Sequence, residues 1–243
     1  MEIFLFLTLH WFLSLFFQTF FHHRYAAHRM FMMSRFWEKL FFILSFLTQG
    51  ASYLKPSAYA IMHRRHHAHS DTEQDPHSPH FSRNLMSMMF KTGVVYHDLV
   101  RSTSEEPAPP EWESFDRWAD SMYVRVLWGV LYTAFYFHFM TNFWVLLLLP
   151  VHYMMGPIHG AIVNWCGHLY GYRNFPNADH SRNTLVVDLL LLGELYQNNH
   201  HKFPNRANFA YRWFEFDPAY PFVRLFHSLR IIRLKSYALT ANF

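Results

Sequence analysis

The chain has 243 residues with 21 Lys and Arg, 17 Asp and Glu and 19 His, so its formal charge is +4 when histidine is neutral. Aromatic residues make up 20% of the chain and charged residues 16%, against about 25% charged in an average soluble domain. The single cysteine, Cys166, excludes an internal disulfide, a thiolate-held iron–sulfur cluster and a covalently attached c-type haem. The basic residues lie between apolar segments. This distribution favours contact with a membrane face and disfavours a nucleic-acid partner.

The first predicted element is a membrane span at residues 3–21, IFLFLTLHWFLSLFFQTFF. As a helix this stretch would be about 28 Å long, close to the thickness of the hydrocarbon core of a bilayer. Residues 3–23 carry no Asp, Glu, Lys or Arg, whereas Arg24 and Arg29 follow at once. The positive-inside rule therefore predicts an N-terminus outside the cell and residues 22–122 in the cytosol.

A second long apolar interval covers residues 126–172, where 47 consecutive positions carry no Asp, Glu, Lys or Arg. This length fits two more spans. We predict them at residues 124–141 and 143–170, with a turn at Thr141–Asn142. The C-terminal part, residues 171–243, then returns to the cytosol.

Two further apolar stretches, residues 36–54 and 185–196, are too interrupted or too short to span, and each predicts a short interfacial or buried helix. Pro150 and Pro157 fall within the last predicted span, where proline kinks are tolerated. The expected fold is a single all-α membrane domain over residues 1–243, with about three transmembrane helices and a cytosolic helical cap. The alternative is a soluble helical protein with a very aromatic core, which the charge-free interval disfavours.

Histidines form four groups along the chain: HRYAAH at 23–28, HRRHH at 63–67, NWCGH at 164–168 and QNNHH at 197–201. On a helix, positions i, i+3 and i+4 share a face, so His63, His66 and His67 are expected to converge. The same holds for the residues of the last group. The spacing of five between His23 and His28 needs a helix end or a bend. All four groups fall at the cytosolic side of the predicted spans, so they can meet at one membrane face.

Together these groups predict a metal site. Eight histidines exceed the three or four ligands of one zinc ion, so they suit two metal ions, and a thiolate-free set favours iron over structural zinc. The candidate ligands are His23, His28, His63, His66, His67, His168, His200 and His201. The remaining histidines, such as His10, His77, His152 and His159, are interpreted as core, interfacial or surface residues. The HRRHH group alone would also fit a solvated basic turn, and the absence of HExxH disfavours a zinc protease.

The ordered boxes H-x4-H, H-x2-HH, N-x3-H and x3-HH resemble those of the integral-membrane fatty-acid desaturases, and most of all the acyl-CoA (stearoyl-CoA type) branch. The segments that carry the resemblance are HRYAAHR, MHRRHHAHSDTEQDPH, NWCGHLYGYRNF and GELYQNNHHKFP, within about residues 10–215. The resemblance implies a diiron centre on the cytosolic face, held by nine histidines and one asparagine that acts through water. On this basis Asn164 takes the water-linked position, and Gln197 stands where the ninth histidine is expected. The family usually has four spans, of which this chain is expected to lack the first.

The family's reaction uses two external electrons and O2 to remove two vicinal hydrogens from a saturated acyl chain, leaving a cis double bond and two waters. The resemblance therefore implies two iron ions, O2 as co-substrate, and a fatty acyl-CoA or other acyl-lipid substrate within a multi-pass membrane protein. The sequence has no haem, flavin or ferredoxin motif. A separate ferredoxin, or a b-type cytochrome with its reductase, is expected as the electron donor.

Several points stay open at the level of sequence. Gln197 is a doubtful ligand: front-end membrane desaturases also carry Gln at this position, and we expect it to coordinate weakly or through water. Asp71, Asp75 and Glu194 are the nearest carboxylates that could orient ligand imidazoles. A membrane hydroxylase could use a similar cluster, and a bis-histidine haem protein is a further alternative. A histidine-rich metal transporter would need ionisable ligands at mid-membrane, whereas these groups are expected at one face.

Overall fold

The computed structural model describes residues 1–101 and 108–239, which are mostly helical. The α-helices in chain order are α1 (Glu2–Phe17), α2 (Arg35–Gln49), α3 (Pro56–His69), α4 (Leu85–Arg101), α5 (Glu113–Ala119), α6 (Met122–Phe139), α7 (Leu149–Tyr153), α8 (Met155–Leu169), α9 (Gln197–Lys202), α10 (Tyr220–Ser228) and α11 (Ser236–Leu239). A π-helix (Gln18–Ala27) continues α1, and 3-10 segments cover Gly50–Ser52, Pro79–Phe81 and Phe143–Leu148. Two strands, β1 (Phe31–Met33) and β2 (Ile232–Leu234), pair antiparallel.

The strand pair is a departure from the all-α fold that the sequence predicts. Phe31 lies opposite Leu234, and both side chains are buried in the main core cluster. Strands of three residues are too short to give a detectable alternating pattern, so the sequence carries no sign of them. Their effect on the structure is nevertheless long-range, because they fix the C-terminal segment beside the residues that follow the first helix.

The first helix and its π-helical continuation form one apolar rod from Glu2 to Ala27. Among the described residues it is the one unbroken helix that is long and apolar enough to cross a membrane. In a π-helix the N–H groups bond five residues back, and the N–H of His28 donates to the carbonyl of His23 at 3.1 Å. The spacing of five between these histidines therefore corresponds to one π-helical turn.

The charge-free interval turns where the sequence predicts, because α6 ends at Phe139 and Asn142 caps the next segment by accepting the N–H of Trp144. The helix after this turn is not straight. Its two parts, Phe143–Tyr153 and Met155–Leu169, meet at a bend of 71°.

The bend lies beside two residues that weaken helical hydrogen bonding. Pro157 has no N–H to donate, and the N–H of Gly156 donates to the Ser52 hydroxyl at 3.0 Å. The bent pair is long and apolar enough to cross a membrane only if its two parts count as one span. Helix α6 is not long and apolar enough by the same criterion. The described residues thus contain one candidate span, or two with the bent pair, and the three-span arrangement stays a prediction.

Residues 185–196 do not form the helix that the sequence predicts; they form a series of turns. The carboxylate of Asp188 accepts the backbone N–H groups of Gly193 and Leu195 at 3.0 and 2.9 Å. Leu192 and Gly193 have φ values of 51° and 90°, in the region that ends a helix. The prediction is wrong because an apolar run does not reveal that one carboxylate will gather the backbone donors around itself.

The core lies between α1, its π-helical continuation and α2, and it consists largely of aromatic rings. Phe20, Phe21 and Phe42 are fully buried. Full burial of such a ring stabilises a fold by about 2–3 kcal/mol. The helix α2 confirms the short helix predicted within residues 36–54. The helix α3 packs across the π-helix, and this contact brings the first two histidine groups together.

Candidate metal centre and substrate cavity

The eight histidines singled out in the sequence lie in two adjoining clusters. The five-histidine cluster consists of His23, His28, His63, His67 and His200. The three-histidine cluster consists of His66, His168 and His201. Within each cluster, one nitrogen from each ring lies within 4.8 Å of all the others. The rings of His67 and His201 are 4.6 Å apart and connect the two clusters.

The helical geometry divides neighbouring histidines between the clusters. On α3, His63 and His67 are one turn apart and face the five-histidine cluster, whereas His66 faces the other. On α9, the consecutive residues His200 and His201 are likewise divided. Consecutive helical positions differ by about 100° in direction, so each pair serves two centres. The histidines of these two groups were expected to converge on one point, but they are divided between the two clusters.

The nitrogens at the centre of the five-histidine cluster are all Nε2 atoms. The Nε2 of His63 lies 2.8 Å from that of His28 and 3.0 Å from that of His67. The Nε2 of His200 lies 3.0 Å from that of His23 and 2.9 Å from that of His67. Each nitrogen of a neutral imidazole has either one N–H or one lone pair and so makes one hydrogen bond, which means that these four contacts among five nitrogens cannot all be hydrogen bonds. A metal cation would satisfy these nitrogens, and the donor set therefore fits a metal ion.

The three-histidine cluster has the same character. The Nε2 atoms of His66 and His201 are 3.2 Å apart. The Nε2 of His168 is fully buried and has no hydrogen-bond partner among the described residues. A buried polar atom without a partner costs about 1–3 kcal/mol, so this atom is poised for a ligand. Together the clusters have the composition and spacing to bind two metal ions.

Carboxylates hold four of the imidazoles from behind. The Nδ1–H of His66 donates to Asp75, that of His168 to Asp71, and that of His201 to Asp179, at 2.7–2.9 Å. The Nδ1 of His23 is 2.7 Å from the carboxylate of Glu194. A proton fixed on Nδ1 leaves Nε2 unprotonated and directed inward, which is how metal-binding histidines are usually oriented.

Asp179 is the one member of these carboxylate–histidine pairs that the sequence analysis missed. The other three stand close in sequence to a histidine box, whereas Asp179 lies in the loop after α8, 22 residues from its partner His201. The dipeptide Asp179–His180 shortly after the NWCGH group is the signal that could have drawn attention to it.

The protonation states suit metal binding. Burial lowers the pKa of His63, His66 and His200 well below the ordinary value, and neighbouring histidines lower it further, so these rings are neutral. Burial opposes ionisation of Asp71 and Asp179, but the hydrogen bonds from their histidines lower the pKa of both carboxyl groups below the ordinary range. Neutral imidazoles facing inward and ionised carboxylates behind them form a typical metal-binding arrangement.

A buried arginine supports this arrangement and was also missed. The guanidinium of Arg24, fully buried, donates to the carboxylate of Asp217 at 2.7 Å and lies 3.4 Å from that of Glu194. Its plane lies over the ring of Phe209, with its centre 3.8 Å away. Glu194 in turn accepts from His23. Arg24 follows His23 directly, so the first histidine box also carries the residue that positions the carboxylate behind it.

The two side-chain amides predicted near the metals lie on helices that carry histidine ligands, Asn164 on α8 with His168 and Gln197 on α9 with His200 and His201. Gln197 is 2% exposed, and its amide N–H donates to the carbonyl of Glu194 at 2.6 Å. Its Cγ lies 2.5 Å from where a Cβ would stand on Gly167, so the glycine makes room for it next to His168. Asn164 lies one turn before His168 on α8 and lines the cavity described below. The sequence left His77 out, yet its ring lies 4.4 Å from that of His66 in a third group with Asp75.

An apolar cavity of about 270 Å³ reaches the five-histidine cluster at His63. Its wall includes apolar side chains of α1, α3, α4 and α8, such as Leu15, Met62, Met89 and Val163. Asn164 and Gln197 are among its polar lining residues. From Gly156 to Asn164 the cavity follows α8 for about 12 Å. The described residues that line it include no Lys and no Arg. Such a cavity is suited to an unbranched hydrocarbon chain.

A helical chain with two adjoining histidine clusters, one of which borders an apolar cavity, has the features of a metal-dependent enzyme acting on an apolar substrate. The chain belongs to the fatty acid desaturase family, whose family model matches residues 3–226. This confirms the family resemblance seen in the sequence, and the family is generally associated with membranes.

Individual relatives agree with the family. The chain is 28% identical to the "Delta-9 desaturase-like 5 protein" of Arabidopsis thaliana, over 87% of this chain and 69% of that protein. It is 26% identical to the "sn-1 stearoyl-lipid 9-desaturase" of Anabaena variabilis, over 85% of this chain and 74% of that protein. It is 29% identical to the "Hex-5-enoyl-[acyl-carrier protein] acetylenase" of Moorena producens (strain JHB), over 82% and 65%. These names support a fatty acid desaturase, an oxidoreductase of lipid metabolism.

Proposed function

We propose that this protein is an O2-dependent fatty acyl desaturase that introduces a cis double bond into a saturated acyl chain at a histidine-ligated pair of iron ions. The observation that carries the proposal is that an apolar cavity reaches His63, a member of the five-histidine cluster, which the three-histidine cluster adjoins. The membership of the desaturase family supports it.

In this proposal the five-histidine cluster holds one iron ion and the three-histidine cluster holds the other. The second set is poorer in imidazole, and the amides of Asn164 and Gln197 are the side chains beside it that can add oxygen ligands. We assign Asn164 a contact through water and Gln197 a weak or water-mediated contact, because an amide oxygen is a weaker donor than imidazole.

The iron pair supplies the oxidising power for breaking an unactivated C–H bond, which no side chain has. The protein positions the reactants. The cavity walls hold the chain so that one pair of methylenes lies next to His63 and Asn164, and they keep out water. Asp71, Asp75 and Asp179 keep the proton of each partner imidazole on Nδ1, so that Nε2 stays available to the metal.

The overall reaction balances only with an external electron donor. The acyl chain loses two hydrogens, and the donor supplies two electrons. With two protons from solvent, these reduce one O2 to two waters. The sequence contains no motif for a bound redox group other than the histidine clusters. We therefore propose that a separate ferredoxin, or a b-type cytochrome with its reductase, supplies the electrons.

The carrier of the acyl chain is a matter for experiment. The sequence resemblance favours a CoA thioester, whereas the names of the relatives refer to a stearoyl-lipid and to an acyl-carrier protein. Phosphate groups of CoA need Lys or Arg at the mouth of the cavity, and the described lining residues supply neither. The name of the Anabaena variabilis relative supports an acyl chain delivered on a membrane lipid as a second form of the proposal.

We further propose that the chain is a multi-pass membrane protein with spans at residues 3–21, 124–141 and 143–170, and that the metal centre lies at the cytosolic face. The unbroken apolar helix Glu2–Ala27 and the bent pair after it support the first and last of these spans. The histidine clusters lie where the first span and α8 end, so both ends are at the same side in this arrangement.

Expression in a host without its own desaturase, with a co-expressed donor, tests the function. Lipids from cells fed with saturated chains are analysed for double bonds and for hydroxyl groups. We expect a cis double bond at one position, and its loss in a His67→Ala variant. A hydroxylated product would favour the hydroxylase, and metal accumulation by the cells without any change in lipids would favour the transporter. Supplying the same chain as CoA, carrier-protein and lipid esters in membranes identifies the carrier.

A further inference from the structure

A basic depression, lined by residues other than those of the apolar cavity, borders the five-histidine cluster. It has a volume of about 430 Å³ and is lined by Ala27, His28, Arg29, Arg64, His67, Pro204, Asn205, Lys235 and Tyr237. Three of these residues are cations, and the described lining residues include no Asp and no Glu. Two other lining residues, His28 and His67, belong to the five-histidine cluster and are half-buried.

The depression is built by elements that are distant in sequence. Pairing of β1 with β2 places Lys235, whose N–H donates to the carbonyl of Met30 at 3.0 Å, beside the end of the π-helix. The hydroxyl of Tyr237 donates to the carbonyl of Arg29 at 2.9 Å. The guanidinium of Arg64 donates to the carbonyl of Ala27 at 2.9 Å. The guanidinium of Arg64 and the backbones of Arg29 and Lys235 are therefore fixed at the depression.

The five-histidine cluster thus has two different faces. His63 lines the apolar cavity, whereas His67, on the same side of α3 one turn later, lines the basic depression. A substrate that must exclude water enters by the first face. The second face is open, positively charged and in direct contact with two imidazoles of the cluster. These are the properties needed by a surface at which electrons enter from an acidic protein.

We propose that the basic depression is the docking surface for the electron donor, a small protein with an acidic surface around its redox group. The proposal rests on the proposed function, which requires such a donor. Each docked donor loses one electron to the metal pair through His28 or His67, so two successive encounters supply the two electrons consumed with each O2. Arg29 and Lys235 attract the acidic surface, and the depression receives its protruding part.

The test measures reduction of the iron-loaded, detergent-purified full chain by a reduced acidic [2Fe–2S] ferredoxin, mixed rapidly at several salt concentrations. The wild-type rate is expected to fall as salt rises, because screening weakens long-range attraction. The double variant Arg29→Glu/Lys235→Glu is expected to react at least about tenfold more slowly at low salt and to lose most of the salt dependence. Arg117→Glu, an exposed charge reversal on α5, serves as the matched control and is expected to keep the wild-type rate.

A small neutral photoreductant provides the reference for folding and metal loading, since it needs no docking charge. We expect it to reduce the wild type and the double variant at the same rate. The proposal would be overturned if ferredoxin reduced the wild type and the double variant at equal rates. It would also be overturned if the double variant lost as much rate with the neutral reductant as with ferredoxin. If ferredoxin reduces the double variant at the wild-type rate, but the variant binds inorganic phosphate more weakly, the depression is a small-anion site instead. If chemically reduced protein forms no double bond, the proposed function fails, whatever the docking result.

Discussion

His63 and His67 lie one turn apart on α3 with their Nε2 atoms 3.0 Å from each other, yet one side chain borders the apolar cavity and the other borders the basic depression. A single helical turn therefore connects the place where the acyl chain is proposed to bind with the place where electrons are proposed to enter. The five-histidine cluster borders both places. Hydrogen removal from the acyl chain, which must exclude water, is thereby kept apart from electron entry at the water-exposed surface.

Asp71 is expected to control metal binding by the three-histidine cluster. Asp71→Asn removes the carboxylate that fixes the proton of His168 on Nδ1, and losses of this kind typically lower metal affinity by about 10–100-fold. We expect the iron content to fall from about two ions towards one per chain, as measured by elemental analysis. Asp98→Asn, an exposed position on α4, should leave two ions bound; an unchanged count in both variants would contradict the role of Asp71.

Gln197 is expected to contribute to the same cluster. Gln197→Ala should weaken the second iron ion without affecting the first, whereas Gln197→His should strengthen it, because imidazole is the better donor. Stepwise titration of metal-free protein with Fe²⁺ measures both affinities. If neither substitution changes the weaker affinity, Gln197 is a bystander that only packs beside Gly167.

Gly160 offers a test of the cavity as the binding place of the acyl chain. It lines the cavity, and the nearest atom to an added Cβ, the amide nitrogen of Asn164, is 4.0 Å away, so a larger side chain fits without backbone movement. Gly160→Leu is expected to shift the products towards shorter acyl chains by occupying part of the volume. Gly160→Ala should give a smaller shift of the same sign. Fatty-acid profiles of the expressing host measure both, and an unaltered chain-length profile in the leucine variant would place the substrate elsewhere.

Arg24 is expected to be important for stability as well as for the position of Glu194. Its replacement by Gln leaves the carboxylate of Asp217 buried without its cation, which typically costs about 3–5 kcal/mol. We expect a clearly lower thermal unfolding temperature in detergent and a lower iron content. Arg117→Gln, which disrupts an exposed ion pair with Glu113, should leave both unchanged. Wild-type unfolding of the Arg24 variant would show that the buried network is not needed.

The composition of the site is predictable from the sequence because box spacing on helices is a local property. The residues of each histidine box lie within one or two turns of one another, so their approach follows from helix geometry. The division of His66 and His67 between two clusters was not foreseen, since it depends on where the neighbouring helices pack. Likewise, the partnership of Asp179 with His201 and the approach of Lys235 to Arg29 arise from tertiary contacts that no spacing rule contains.

The fold was predicted less completely for a similar reason. Apolar composition identified the first helix and the turn at Thr141–Asn142, which depend on local hydropathy and capping. It did not reveal the bend of 71° at Met154, where the N–H of Gly156 donates to the hydroxyl of Ser52. Nor did it reveal the turns around Asp188, whose carboxylate accepts nearby backbone N–H groups in place of helical bonds. Nor could it show that β1 and β2, three residues each, would pair across about 200 positions of sequence.

The central claim is that eight imidazoles hold two metal ions in two unequal sets. Anaerobic titration of the metal-free chain with Fe²⁺, followed by absorbance and by elemental analysis after gel filtration, tests it most directly. We expect two equivalents bound per chain with unequal affinities, the tighter one lost in His63→Ala and the weaker one lost in His168→Ala, and no haem Soret band. Binding of one equivalent or none, or two equivalents unaffected by both substitutions, would contradict it.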